Sequence, residues 1–137
     1  AWNYMMSIDT PASKKFAKSF KKRWGSDRVV ADPQESAYNM VYLWKQAVED
    51  AGTFDDNAVR KALIGQKFDA PQGPVEVMPN HHLSQTVRIG EINSEGGFTI
   101  LEETGVVLPQ AWNQKHPSSK GYACDWTDSK KGEKYRL

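Results

Sequence analysis

The sequence predicts an α/β fold in which three helices precede a β-hairpin region and an irregular tail. Three observations support this prediction. Start and stop signals of helices recur before residue 66. Between residues 75 and 102, apolar residues change from helical spacing to alternation. From Val106 onward, proline, glycine, serine and lysine separate isolated aromatic residues, a composition typical of irregular structure.

The first helix is predicted from Thr10 as cap and Pro11 as first helical residue, and it ends at Gly25. Its apolar residues recur at helical spacing: Phe16, Ala17, Phe20 and Trp24. The other positions are mostly cationic: Lys14, Lys15, Lys18, Lys21, Lys22 and Arg23. No aromatic stacking platform accompanies these cations, so we interpret them as a solvated helix face and not as a nucleic-acid site.

The second helix carries the strongest signals in the chain. Asp32 and Pro33 mark its start, Gly52 marks its end, and Glu35 stands three residues after Asp32 as in a capping box. One face is predicted to be apolar and buried: Ala37, Met40, Val41, Trp44, Ala47 and Val48. The sequence therefore predicts an amphipathic helix from about residue 33 to residue 51.

A flank of this helix is the candidate functional site. Glu35, Tyr38 and Tyr42 follow one another at i, i+3 and i+7, beside the apolar face. A carboxylate accepts N–H bonds and a phenol ring covers a flat ligand, so the group can hold a small polar molecule. A structural interpretation stays open, in which Glu35 only closes the capping box and Tyr38 is a half-buried boundary residue.

A short third helix and three strands complete the predicted elements. The helix runs from about Asp56 to Ile64, with Asp55 or Asp56 as cap and Gly65 as stop. The predicted strands are Val75–Met78, Thr86–Ile92 and Phe98–Glu102, the last two joined by a turn at Ser94–Gly97. Residues 2–8 are predicted to be a short strand or an extended segment.

Composition and motifs argue against several function classes. The net charge of +1 gives no overall preference for nucleic acid or for an anionic membrane. His81 and His82 are adjacent, so their side chains diverge in an extended segment and do not indicate a metal site. No nucleophile motif is present, and nothing indicates an enzyme or a cofactor. Cys124 is a single cysteine, expected to be a small buried residue or to bridge to a cysteine outside this chain.

Several segments together resemble the C-terminal part of type I periplasmic binding proteins, and most of all their urea and short-chain-amide branch. These segments are Ser7–Pro11, Asp32–Tyr38, Tyr42–Val48, Ile64–Gly73, Asn80–Leu83, Val87–Ile92 and Gly121–Trp126. The resemblance implies a two-lobed protein that closes around a ligand and delivers it to an ABC permease, in the periplasm or lipid-anchored outside the cell. Residues 1–105 would be a lobe and hinge segment, and residues 106–137 a tail packed on the lobes.

The resemblance also implies roles for two residues. Tyr38 matches a ligand-contacting tyrosine of the amino-acid-binding relatives, and Glu35 matches an acidic position of the amide branch that we expect to face the cleft. The ligand is then urea or a short-chain amide. A branched-chain amino acid, or a cytoplasmic amide sensor of the same fold, is the alternative. Much of both lobes would lie N-terminal to this chain, and the tail aromatics would pack on them: Trp112, Tyr122, Trp126 and Tyr135.

Overall fold

The structure, a computed structural model, describes residues 1–110, 115–118 and 120, together with the backbone of residues 122–125 and 133–136. The helices are Pro11–Trp24 (α1), Asp32–Ala51 (α2) and Asp56–Leu63 (α3). The strands are Lys67–Ala70 (β1), Gly73–Val77 (β2), Leu83–Ile92 (β3), Phe98–Val107 (β4), Tyr122–Asp125 (β5) and Glu133–Arg136 (β6). The predicted class, helices followed by a β-hairpin region, is confirmed.

Strands β1 to β4 form one antiparallel sheet in chain order. The ribbon of β3 and β4 is long, and its register shifts between Thr86 and Arg88 and again between Ile89 and Gly90. Such irregularities bend a ribbon and increase its twist. Strands β5 and β6 pair only with each other in the described structure, so the tail predicted to be irregular contains a short ladder. The division at residue 105 stays a prediction.

Helix α1 begins and ends as predicted. The Thr10 hydroxyl accepts a hydrogen bond from the Ser13 amide at 3.1 Å, which satisfies one of the free N–H groups of the first turn. Gly25 ends the helix with φ of 123°, a backbone conformation that residues with a Cβ rarely adopt. The third helix is also confirmed, with the Asp55 carboxylate as cap to the Ala58 amide at 2.9 Å.

The predicted cap of α2 is wrong by one residue. Ala31 is the residue before the helix, and Gln34 closes the first turn by accepting the Ala31 N–H at 3.2 Å. Asp32 instead accepts the backbone amides of Asn3 at 3.0 Å and Tyr4 at 2.6 Å. These two donors are 28 and 29 residues away in sequence, so local spacing could not reveal that they would bind the Asp32 carboxylate.

The predicted buried face of α2 is also wrong in its main residues. Met40, Val41 and Trp44 are 68%, 64% and 51% exposed. The buried residues of this helix are Glu35, Asn39, Leu43 and Ala47. The side chains of this apolar stripe stay exposed, although the Trp44 ring lies 6.1 Å from that of Phe54, whereas the opposite face meets the β1–β2 hairpin.

Two small apolar cores hold these elements together. The first core joins the N-terminal segment to α1 through Tyr4, Ile8, Phe16 and Val30. The second joins α2 to the hairpin through Leu43, Ala70, Val75 and Val77. Between the two cores lies the start of α2, where the candidate residues are found. Within the described residues, no helix is long and apolar enough to cross a membrane.

Other parts of the chain differ from the sequence prediction in detail. Residues 2–8 are no strand, although Trp2 makes a single antiparallel bridge with Arg88. Strand β1 was not predicted, because the alternation of polar and apolar residues in Lys67–Ala70 extends over only four residues. His82 lies in a turn, where its Nδ1 is 2.9 Å from the Asn80 carbonyl oxygen. Trp112 and Trp126, and the side chains of Tyr122, Cys124 and Tyr135, lie outside the described part.

Candidate functional site

Tyr38 lies in a group of four aromatic rings, here called the aromatic cluster. Its ring centroid is 4.7 Å from those of Phe16 and Tyr42 and 6.1 Å from that of Phe68. Tyr42 and Phe68 stack almost parallel, at 5.0 Å and 7°. The cluster joins α1, α2 and β1, because each of these elements contributes at least one ring. Pairs of this geometry stabilise by about 0.5–1.5 kcal/mol beyond the area they bury.

The aromatic cluster forms part of the wall of an open cavity of about 470 Å³, bounded by α1, α2 and β1. Tyr38, Tyr42 and Phe68 line one side of this cavity. Lys15 of α1 and Asp69 of β1 also line it and bring one charge of each sign. Apolar rings with a small number of polar groups are the usual lining of small-molecule sites.

The Tyr38 hydroxyl is a neutral group at physiological pH. Burial, together with the hydrogen bond and charge of the neighbouring Tyr42 phenol, raises the pKa of Tyr38 to about 12. A neutral phenol keeps one O–H donor and two acceptor positions. Tyr38 can therefore bond either a carbonyl oxygen or an N–H group of a ligand, and its ring offers a flat apolar surface.

Glu35 lies in the interior and is not part of the cavity wall. Its Oε1 accepts hydrogen bonds from Asn39 Nδ2 at 2.8 Å and from the Gln72 amide at 3.2 Å. Its Oε2 accepts one from Gln72 Nε2 at 3.3 Å. The carboxylate thus fixes the turn between β1 and β2, and Pro71 of that turn does line the cavity. The structure does not bring Glu35 and Tyr38 together on one surface.

Burial raises the pKa of Glu35 above its ordinary value of 4.5. The hydrogen bonds from Asn39 and Gln72 act in the opposite direction, while the charge of Asp32 adds to the rise and that of Arg88 reduces it. Two carbonyl oxygens beside this carboxylate, Asn39 Oδ1 and Gln72 Oε1, have no hydrogen-bond partner within the described residues. Glu35 therefore lies among several oxygen atoms that can accept hydrogen bonds.

Arg88 is a structural residue that the sequence did not single out. Its side chain is only 5% exposed, and its Nε donates to Glu103 Oε2 at 2.7 Å. Its Nη1 donates to the Asn3 carbonyl oxygen at 2.6 Å, so it ties the N-terminal segment to β3 and β4. No signal in the sequence indicates this burial, because Arg88 stands at a polar position of the alternation, between Val87 and Ile89.

A second cavity of about 280 Å³ lies between the N-terminal segment, residues 29–31 and the β3–β4 turn. Trp2 and Phe98 line it and contact each other at a centroid distance of 5.8 Å. None of its lining side chains is a buried charge. Across the described residues, no three histidine, cysteine, aspartate or glutamate side chains come together as metal ligands.

The comparison with family models decides the family. Residues 1–118 match the model of the periplasmic binding protein domain. The chain belongs to this family. The helix–hairpin arrangement is thus that of a periplasmic binding protein domain, and the sequence prediction of that fold is confirmed.

Individual relatives cover the same part of the chain. A protein named limonene hydroxylase from Geobacillus stearothermophilus is 30% identical over 107 residues, which are 78% of this chain and 20% of that protein. The Leu/Ile/Val-binding protein homolog 6 of Brucella abortus is 27% identical over 93 residues, 66% of this chain and 24% of that protein.

Among solved structures, a solute binding protein of an ABC transporter from Rhodopseudomonas palustris HaA2, in complex with p-hydroxybenzoic acid, is similar at a TM-score of 0.61. It is 26% identical, and the likeness covers 77% of this chain and 29% of that one. The chain thus spans between a fifth and a third of the length of these proteins.

Proposed function

We propose that this chain is the C-terminal part of an extracytoplasmic solute-binding protein that serves an ABC importer and binds urea or a short-chain amide between two lobes. The observation that carries the proposal is the location of Tyr38 in the wall of an open aromatic cavity of a periplasmic-binding-protein domain. Such a protein binds its ligand and releases it to a permease without chemistry, so no catalytic group is required.

Tyr38 is the proposed ligand contact. Urea and small amides are planar, with a carbonyl acceptor and several N–H donors. The Tyr38 ring covers such a plane, and its neutral hydroxyl bonds one edge. A net contribution of about 0.5–1.5 kcal/mol from this hydrogen bond corresponds to a change in affinity of roughly two- to tenfold.

Glu35 remains a proposed ligand residue, in a conformation of the whole protein that differs from the one described. A carboxylate has about four acceptor positions, and Glu35 uses three. A ligand N–H reaches the fourth position only if the turn at Gln72 moves. The described contacts support a positioning role, since Glu35 holds the turn that places Pro71 at the cavity.

The exposed face of α2 supports the part of the proposal that concerns the rest of the protein. Met40, Val41 and Trp44 form one apolar surface with the nearby Phe54. Because the chain spans at most a third of its relatives, we propose that the N-terminal part of the same protein covers this surface. The same part would supply the missing wall of the cavity, which is large for urea alone.

Calorimetric titration of the complete gene product with urea, acetamide, formamide, leucine and p-hydroxybenzoate tests the proposal. Saturable binding of urea or an amide, weakened roughly two- to tenfold by Tyr38→Phe, is the expected result. Tyr4→Phe is the matched control, because it removes a hydroxyl that bonds Ser13 at 3.3 Å and lies outside the cavity wall. Unchanged affinity in the Tyr38 variant would remove Tyr38 from the site.

A branched-chain amino acid is the second candidate ligand. The match to the Leu/Ile/Val-binding protein homolog favours it, as do the ammonium of Lys15 and the carboxylate of Asp69 at the same cavity. A zwitterion needs one charge of each sign from its site. Binding of leucine without urea would select this candidate, and binding of p-hydroxybenzoate alone would replace both.

A further inference from the structure

Most of the cationic residues of α1 lie on one side of the helix. At 3.6 residues per turn, five lysines fall within roughly 120° of the helix circumference. We call them the lysine stripe: Lys14, Lys15, Lys18, Lys21 and Lys22. Ser13 and Phe16, which are buried, lie on the opposite side. The stripe therefore faces outward along the helix, and the apolar side of the same helix fixes its direction.

The charge of the chain is segregated. Helix α1 holds six of the 18 lysines and arginines and none of the 17 acidic residues. The net charge of +1 thus hides a strongly positive helix and a remainder with excess negative charge. Among the described residues, Lys14 pairs with Asp9, and no other lysine of the stripe forms a salt bridge.

The chemistry of the stripe indicates the kind of surface it fits. Lysine is a compact, strongly hydrated point charge, while arginine is the residue of specific, bidentate recognition. The stripe contains no arginine, and no aromatic side chain lies among its lysines to act as an anchor. Tight protein interfaces depend on buried aromatic or arginine anchors. A convex row of lysines instead matches a plane of anionic headgroups, which attracts basic segments without specific contacts.

We propose that the lysine stripe docks this protein electrostatically on anionic phospholipid headgroups. The proposal does not depend on which solute the cavity binds. Docking through one side of α1 sets an orientation, because the acidic remainder of the chain is repelled by the same surface. The interaction is of long range at low ionic strength and is screened within about 8 Å at physiological salt.

Co-sedimentation of the complete gene product with lipid vesicles tests the proposal. The vesicles contain phosphatidylcholine alone or with 30% phosphatidylglycerol, at about 50 mM and about 500 mM salt. The test variant is Lys18→Gln/Lys21→Gln/Lys22→Gln, which spares Lys15 at the cavity. The matched control is Lys45→Gln/Lys61→Gln/Lys67→Gln, which removes the same charge from α2, α3 and β1. Circular dichroism confirms that both variants are folded.

The expected result is binding to the anionic vesicles at low salt only, reduced at least tenfold in the test variant and changed less than threefold in the control. Equal losses in both variants would assign the effect to net charge and overturn the proposal. Equal binding to neutral vesicles would overturn it too. Binding to duplex DNA or to an acidic protein, with none to vesicles, would assign the stripe to another partner and would likewise overturn it.

Discussion

The two faces of α2 reverse the usual distribution, in which polar residues are exposed and apolar residues are buried. The inner face buries a glutamate and an asparagine, Glu35 and Asn39, beside Leu43 and Ala47. The outer face exposes Met40, Val41 and Trp44. The inner face is buried against the β1–β2 hairpin, where Glu35 accepts hydrogen bonds from Gln72 and from Asn39 of its own helix. The outer face stays exposed because the described chain places only the Phe54 ring beside it. Burial thus depends on available partners as well as on the polarity of the residue.

The largest expected effect comes from removing the carboxylate of the inner face. Glu35→Ala leaves the Gln72 amide and Asn39 Nδ2 without their acceptor and opens a cavity, while Gln72 Nε2 keeps only its bond to Gln85 Oε1. Each unsatisfied buried group costs about 1–3 kcal/mol. We expect a loss of more than 3 kcal/mol in the free energy of unfolding of the complete gene product, measured by urea denaturation.

Glu35→Gln is the control for that loss. Its new N–H group can donate to Gln72 Oε1, which has no partner in the described structure, if the Gln72 amide turns over. We expect the loss to be less than half of that of the alanine variant. A small loss in the alanine variant itself, below about 1 kcal/mol, would contradict the assignment of Glu35 as the centre of the inner face.

The next effect concerns the outer face. In the isolated 137-residue chain, Met40→Ser and Trp44→Ser should each change the free energy of unfolding by less than about 0.5 kcal/mol, because both side chains are already exposed. In the complete gene product the same variants should cost about 2–4 kcal/mol, since truncating a buried large side chain removes its packing. Equal losses in both proteins would show that no other part of the protein covers α2.

A smaller effect on stability is expected from pH, and it arises on the inner face, where Glu35 lies. The raised pKa of Glu35 means that the folded protein binds this proton more tightly than the unfolded chain does. This contribution to stability is fully present below the ordinary value of 4.5 and is lost as pH rises through the folded-state pKa. We expect the free energy of unfolding, measured by urea denaturation at several pH values across this interval, to change less with pH in Glu35→Gln than in the unchanged protein.

The smallest effect is expected at the solvent side of α2. Lys45 Nζ lies 2.7 Å from Glu49 Oε1 in an exposed pair at i and i+4. Such pairs stabilise helices by about 0.3–0.5 kcal/mol. Glu49→Gln should therefore shift the thermal midpoint of the isolated chain by a few degrees at most. A loss of stability as large as that of Glu35→Ala would contradict this order, because the exposed ion pair would then be as important as the buried acceptor.

The helix ends could be predicted because their signals are local. Thr10 and Asp55 cap amides three residues away, and Gly52 ends α2 with φ of 63°. The sequence singled out Tyr38 as a ligand contact, which stays a prediction; in the structure this residue lines an open cavity. The environment of Glu35 could not be predicted, since Gln72 is 37 residues away. Hydrophobic periodicity wrongly predicted the outer face of α2 to be buried, because it does not show which face meets a partner that is distant in sequence.

The double hydrogen bond from Asn3 and Tyr4 to Asp32 has a mechanical consequence. Residues 2–4 are also bonded to Arg88, so this short segment is fastened at the same time to the first turn of α2 and to the β3–β4 ribbon. A rotation of the segment has to carry Asp32 with it or break two charge-assisted hydrogen bonds. A movement of residues 2–4 is therefore transmitted to α2 at Asp32, within two turns of Tyr38. Amide hydrogen exchange at Asn3 and Tyr4 measures how often these two hydrogen bonds open.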